Sequence, residues 1–297
     1  MNKGQKLLKK AKKIIPGGNQ LFSKRAELFL PELWPTYYKK AKGCEIWDME
    51  NNKYFDFAGM GVTTAILGYA DKDVNQAVTK AINNASMGTL NSYEEVDLAE
   101  ELLNIHKWAD QVKFARTGGE ACSIAIRIAR AATQKEKVLF CGYHGWHDWY
   151  LSTNINSNSL DTQLLSGLKA KGIPRGLKNT AIPFEYNNLK SFKKKVNKYK
   201  NNIAAIMMEP VRSTLPNKGF LEFIQKTAKK IGAVFIIDEI TSGFRENLGG
   251  IHLKYKIKPD MAVLSKAMSN GYPSSAIIGI REVMDEAQDS FISSCMW

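Results

Sequence analysis

Long hydrophobic runs are missing from this chain of 297 residues. No apolar stretch approaches the roughly 20 residues that a helix needs to cross a bilayer, so no membrane segment and no membrane partner is expected. The opening stretch, MNKGQKLLKKAKKIIPGG, is basic but lacks the unbroken apolar core of a secretory signal. It reads as a short amphipathic helix stopped by Pro16-Gly17-Gly18. Cysteine is scarce. Cys44, Cys122, Cys141 and Cys295 form no CxxC pair and show no zinc-ligand spacing, and without a secretory signal the expectation is reduced thiols in the cytoplasm. There is no Gly-Lys-Ser/Thr phosphate loop, no GxGxxG fingerprint and no GxSxG elbow, which argues against P-loop, dinucleotide and serine-hydrolase sites. Arginine is also sparse beside lysine. The net charge is +13, yet the lysines are spread along the chain, and the densest run, Lys193 to Lys195, lies in a predicted helix from Leu189 to Lys200. That pattern fits a solvated helical face. Phosphate and base-edge reading would favour arginine, so no nucleic-acid partner is expected.

What is present is alternation. The length allows one large domain or two smaller ones. Residues 1–70 read as an N-terminal helix and hairpin segment, with strands at Cys44–Asp48 and Lys53–Phe57 around a turn at Glu50-Asn51-Asn52. Residues 71–297 read as one large domain. It opens with helices at Lys72–Asn84 and Ser92–Ile105. Short apolar runs then alternate with helical periodicity: strands at Val112–Ala115, Val138–Cys141, Ala181–Phe184, Ile203–Met208, Val234–Ile237, Met261–Leu264 and Ala276–Ile280, and helices at Gly118–Ala132, Asn188–Lys200, Gly219–Ile231 and Glu282–Gln288. Residues 151–178 form a long polar loop. The fold class this implies is α/β, a largely parallel sheet sandwiched by helices.

Five of the predicted strands end in polar residues. Val112–Ala115 leads to Arg116-Thr117-Gly118-Gly119 at a helix start, and Cys141 runs into Gly142-Tyr143-His144. Met208 runs into Glu209, Ile237 into Asp238, and Leu264 into Ser265-Lys266. Ligands of open α/β sheets sit beyond the carboxyl ends of the strands, so these residues are expected to line one site. Taken singly, Asp238 and Lys266 could equally be a buried ion pair or two solvated loop residues. Thr117-Gly118-Gly119 suits a phosphate, since glycines allow close approach and first-turn amides with the helix dipole favour an anion. Cys141, His144 and His147 stand three apart, but Gly142 and Gly145 argue against a helix presenting both imidazoles, and no metal site is expected. A strand-end lysine and aspartate, an aromatic ring and a phosphate cradle together fit pyridoxal 5′-phosphate (PLP). That cofactor needs a lysine for a Schiff base, a carboxylate beside its pyridine nitrogen and a ring to stack on its face.

The motifs Arg116-Thr-Gly-Gly-Glu-Ala121, Gly142-Tyr-His-Gly145, Met208-Glu-Pro210, Ile237-Asp-Glu-Ile-Thr-Ser-Gly-Phe-Arg245 and Ser265-Lys266 before Asn270-Gly-Tyr-Pro273 resemble those of the class-III aminotransferases of fold type I. Within them, they resemble the branch similar to glutamate-1-semialdehyde 2,1-aminomutase. The resemblance implies that Lys266 holds the cofactor and shuttles a proton, and that Asp238 pairs with the pyridine nitrogen. Tyr143 would stack on the ring, and Ile240 would pack its other face. Thr117, Gly118 and Gly119 would bind the phosphate, and His144 and Glu209 would complete the cofactor's surroundings. Arg25 would hold a substrate carboxylate. Small-molecule amino donors and carbonyl acceptors, and a homodimer, are implied as partners. Cys295 stands where the family places a phosphate-binding threonine, and the small C-terminal domain expected beyond Trp297 is missing, so the chain reads as truncated. Three functions stay open on this reading: amino transfer between two molecules, a true aminomutase reaction within one molecule, and an inactive cofactor-binding module.

Overall fold

The computed structural model describes residues 1–85, 87–163, 166–167 and 169–293. Cys295 lies outside the described residues. The chain divides into two compact units, Met1–Ser86 and Met87–Trp297. The helix Lys72–Asn84 therefore belongs to the first unit, whereas the sequence reading began the large domain at residue 71.

In the first unit, the helix Lys3–Ile14 starts with a capping box in which the Asn2 side chain accepts from Gln5 N–H and the Gln5 side chain accepts from Asn2 N–H. Three strands follow, β1 (Tyr38–Lys42), β2 (Glu45–Asp48) and β3 (Lys53–Phe55), in an antiparallel meander. The β2–β3 turn is organised by buried Asp48, whose carboxylate accepts from Glu50 N–H, Asn52 N–H and the Asn52 and Tyr54 side chains at 2.8–3.1 Å. Strand β1 was not anticipated. Its sequence, YKKAK, carries no apolar alternation and it is mostly exposed.

The second unit is built on seven strands: β4 (Gln111–Ala115), β5 (Lys137–Cys141), β6 (Ala181–Pro183), β7 (Ile203–Met208), β8 (Val234–Asp238), β9 (Met261–Leu264) and β10 (Ser275–Gly279). Their spatial order is β4-β10-β9-β8-β7-β5-β6, and only β10 runs antiparallel to its neighbours. The near-continuous Val/Ile/Met runs of β7, β8 and β9 are buried throughout, as expected for strands covered on both faces. On one face the helix Gly118–Thr133 contributes Cys122, Ile126 and Ile128 to a core with Phe140, Met207, Ile236 and Val263. The other face is covered by the helices Leu189–Tyr199 and Phe220–Ile231, which pack Phe192, Phe220 and Ile224 against Leu139, Ile206 and Phe235. Further along that face, Leu102 of the helix Glu94–Ile105 packs on Leu264 and Ile278. Each fully buried side chain of this size contributes about 1.5–3 kcal/mol through the hydrophobic effect, and the sheet collects dozens of them. Among the described residues, no helix is long and apolar enough to cross a membrane.

Candidate active site

Parallel pairing places the carboxyl ends of β5, β7, β8 and β9 side by side. Gly142, Glu209, Asp238 and Lys266 thus stand at one edge of four adjacent strands. The helix start at Thr117 joins them from β4. It is tied to this edge by Ser275, whose hydroxyl donates to Thr117 C=O at 3.1 Å.

Asp238 is 1% exposed. Its Oδ2 accepts from His144 Nδ1 at 2.7 Å and, more weakly, from the Cys122 thiol at 3.6 Å; its Oδ1 accepts from Ile240 N–H at 2.9 Å. Burial and the neighbouring Asp238 charge push the Cys122 thiol well above its ordinary range, so Cys122 acts as a donor. Cys122, His144 and Asp238 place a sulfur, a nitrogen and an oxygen within 4.8 Å of one another. Their hydrogen bonds already occupy the His144 Nδ1–H and the thiol, which fits a carboxylate-holding role.

Lys266 follows β9 with φ of 49°, a left-handed conformation rare for a side-chain-bearing residue and common at functional sites. Its Nζ donates to Thr241 Oγ1 at 3.0 Å. Burial pulls the amine below the ordinary lysine range, with the Asp238 and Glu209 charges opposing. The result is an amine that loses its proton more readily than a surface lysine.

Glu209, 3% exposed, accepts from Tyr143 N–H at 2.9 Å, while its own N–H donates to Cys141 C=O at 3.1 Å. Burial raises its pKa, and the Asp238 charge adds to the effect. Glu209 therefore acts on the backbone that presents Tyr143. The Tyr143 ring stands edge-on to Tyr150 at 6.1 Å, and Tyr150 OH donates to Gly142 C=O at 2.8 Å. The turn requires glycine, because a Cβ on Gly142 would lie 2.5 Å from Glu209 Oε2.

Thr117 caps its helix, its hydroxyl accepting from Glu120 N–H at 3.2 Å, and the Glu120 carboxylate accepts from Arg116 N–H at 3.0 Å. The amides of Gly118 and Gly119 open the helix and have no intrahelical acceptor, as at any helix start. A Cβ on Gly118 would meet the Ile240 side chain at 2.7 Å, and one on Gly119 would meet the His147 ring at 3.0 Å. Bare backbone thus faces Ile240 on one side and His147 on the other. His147 Nδ1 and His144 Nε2 are buried without a hydrogen-bond partner. An amine, a donor-held carboxylate, an aromatic ring and free first-turn amides form the donor set that pyridoxal phosphate requires, and these residues fit it. Arg25, in the first unit, carries its guanidinium 4.1 Å over the Phe22 ring. Thr241 and Cys122 were not anticipated, although Thr241 stands three residues after Asp238 in a motif already singled out.

The class-III aminotransferase family model matches residues 31–290. The chain is 35% identical over 286 residues to the glutamate-1-semialdehyde 2,1-aminomutase of Nitrosopumilus maritimus (strain SCM1), covering 94% of this chain and 65% of that protein. It is 31% identical over 296 residues to the 3-aminobutyryl-CoA aminotransferase of Cloacimonas acidaminovorans (strain Evry), covering 97% and 67%. Among solved structures, the FumI protein of Sphingopyxis sp. MTA144 in its PLP internal aldimine form superposes with a TM-score of 0.86 at 26% identity, over 98% of this chain and 68% of that one. The chain thus spans about two thirds of the length of the proteins it matches. The matched residues include all seven strands of the large sheet and each of the strand ends that carry Thr117, Tyr143, Glu209, Asp238 and Lys266; the chain belongs to the class-III aminotransferases.

Proposed function

We propose that this protein is a PLP-dependent aminotransferase of the branch similar to glutamate-1-semialdehyde 2,1-aminomutase, acting through Lys266. The observation that carries the reading is the combination of Lys266, a half-buried amine on Thr241, with Asp238, a carboxylate held by three donors. When bound, the cofactor supplies an electron sink for the charge that develops at the substrate Cα. Asp238, held by its three donors, would face the pyridine nitrogen as its hydrogen-bond partner. Lys266, whose amine burial pulls below the ordinary lysine range, would hold the cofactor and serve as the base and acid for the proton at the substrate Cα. Gly118 and Gly119 offer amides to the phosphate, with Thr117 fixing their helix start. Tyr143 and Ile240 close the two ring faces, with Glu209 holding the Tyr143 backbone.

Incubation with pyridoxal phosphate is expected to give a visible absorbance band that persists through dialysis, and Lys266→Ala is expected to abolish it. Capture should set in at a lower pH than for a surface lysine, because burial favours the neutral amine. A dialysis-stable band in Lys266→Ala, with a second lysine modified, would sink the assignment. A second reading, supported by the aminomutase name of the Nitrosopumilus maritimus relative, is rearrangement within one molecule. Conversion of glutamate-1-semialdehyde to 5-aminolevulinate without any added amino donor would select it, and amino transfer from a separate donor would exclude it.

A further inference from the structure

Glu239 lies beside Asp238 but on the opposite face of the sheet. It is fully buried, and the loop that follows β8 is folded around it. Its N–H donates to Val263 C=O at 2.9 Å and its C=O accepts from Gly243 N–H at 2.7 Å. Its Oε1 accepts from His252 N–H at 2.8 Å and from His252 Nδ1 at 2.7 Å, and its Oε2 accepts from Ser242 Oγ at 2.5 Å. Two glycines make room for it. A Cβ on Gly250 would lie 2.7 Å from the carboxylate, and one on Gly243 would lie 2.8 Å from the Glu239 carbonyl. The carboxylate thus staples both ends of the 239–252 segment, and that segment carries Ile240 and Thr241.

The far nitrogen of His252, Nε2, meets Trp108 Nε1 at 3.1 Å. An indole N–H can only donate, so His252 Nε2 accepts and the ring proton sits on Nδ1, where it donates to Glu239. Trp108 thereby selects the tautomer that Glu239 needs. His252 is fully buried, so no water competes for either nitrogen.

We propose that Trp108, His252 and Glu239 form a positioning relay: the indole fixes the imidazole tautomer, the imidazole orients the carboxylate, and the carboxylate sets Thr241 against the Lys266 amine. The relay touches neither substrate nor cofactor and acts on Lys266 only through Thr241. It rests on the reading of Lys266 as the reactive amine.

The test measures acetylation of Lys266 by acetic anhydride across pH, resolved by peptide mass spectrometry, which needs no cofactor. Thr241→Val and His252→Leu are each expected to change the Lys266 rate by about threefold or more, in the same direction, and the double variant is expected to go no further than either alone, as coupled neighbours do. His252→Gln, whose amide can both donate to Glu239 and accept from Trp108, should restore the rate to within about twofold of wild type. Additive effects, or a rate unmoved by either single substitution, overturn the relay. Nitrogen chemical shifts of the His252 ring in the unmutated chain give a reading that no folding defect can confuse. For the neutral ring, a proton on Nδ1 supports the tautomer lock, and a proton on Nε2 refutes it. Pyridoxal phosphate added to the same wild-type sample separates the two claims. Absence of a visible band removes the functional reading, while the relay is judged on acetylation and ring shifts alone.

Discussion

Replacement of Gly142 by alanine is expected to destabilise the large unit by about 2.5–6 kcal/mol, from two contributions. Gly142 holds a φ of 120°, and forcing a side-chain-bearing residue into such a conformation costs about 1–3 kcal/mol. The added Cβ would also lie 2.5 Å from Glu209 Oε2 and 2.9 Å from its Cγ. The carboxyl group must then leave Tyr143 N–H, its partner at 2.9 Å. Glu209 is 3% exposed, so water does not replace the bond, and losing a hydrogen bond to a charged group costs about 1.5–3 kcal/mol. Gly172→Ala is the matched control. Its φ is 86°, and nothing lies within 4 Å of an added Cβ, so only the backbone cost of about 1–3 kcal/mol applies. The assay is equilibrium urea unfolding followed by tryptophan fluorescence, comparing variants whose dependence on denaturant is unchanged. Losses that agree within about 0.5 kcal/mol for the two variants would refute the argument, since the glycine at 142 would then serve only its own backbone.

Two further outcomes follow from buried groups. Glu239 has its pKa driven up by burial and, more strongly in sum, down by bonds from His252 and Ser242. Its folded value lies below its unfolded one, so its stabilisation is present above the ordinary glutamate range and is lost as pH falls through the folded value; Glu239→Gln should flatten the acid limb of a stability-against-pH curve, and an unchanged limb would contradict this. Thiol labelling near neutral pH, read by peptide mass spectrometry, should modify exposed Cys44 and spare Cys122 and Cys141 in the folded chain, since burial pushes Cys141 up to about 12 and Cys122 well above its ordinary range. Labelling of Cys122 at the rate of Cys44 would show that the Asp238 surroundings are open to solvent.

The large sheet was legible because its strands announce themselves twice, by buried apolar runs and by abrupt polar ends. Ile203–Met208 before Glu209 and Met261–Leu264 before Ser265-Lys266 are observed at the predicted residues. Strand β10 was found, but its antiparallel direction was not, because SAIIG reads the same in either sense and direction depends on how the chain returns after Lys266. The helix Lys72–Asn84 is legible in the sequence, and Asp71 caps it in the structure, yet its membership of the first unit rests on packing that local periodicity does not encode. The predicted helix Glu282–Gln288 resolves into a short helix, Arg281–Met284, and a 3-10 turn, Asp285–Ala287, since seven residues supply little intrahelical bonding to resist that tightening. At the site, residues with a motif were visible and their supports were not. Cys122 reaches Asp238 across 116 positions, and Trp108 reaches His252 across 144. No local pattern marks such pairs.

The adjacent carboxylates Asp238 and Glu239 show how one strand end serves two purposes. Side chains on a strand alternate faces, so neighbours at a strand end address opposite sides of the sheet. Asp238 turns to the face of the helix Gly118–Thr133, where Cys122 waits, together with His144 from the end of β5. Glu239 turns the other way, to His252 and Ser242. Two unpartnered carboxylates this close in a buried setting would each suppress the ionisation of the other. Here each has its own donors and its own histidine, at 2.7 Å in both cases. The separation leaves Asp238 to the side of Cys122 and His144, while Glu239 spends its bonding on the backbone of the segment that carries Thr241 to Lys266. Exchanging their order would take the carboxylate away from Cys122 and His144 and leave the loop without its staple. The order of the pair is therefore constrained by the sheet before any chemistry is asked of it.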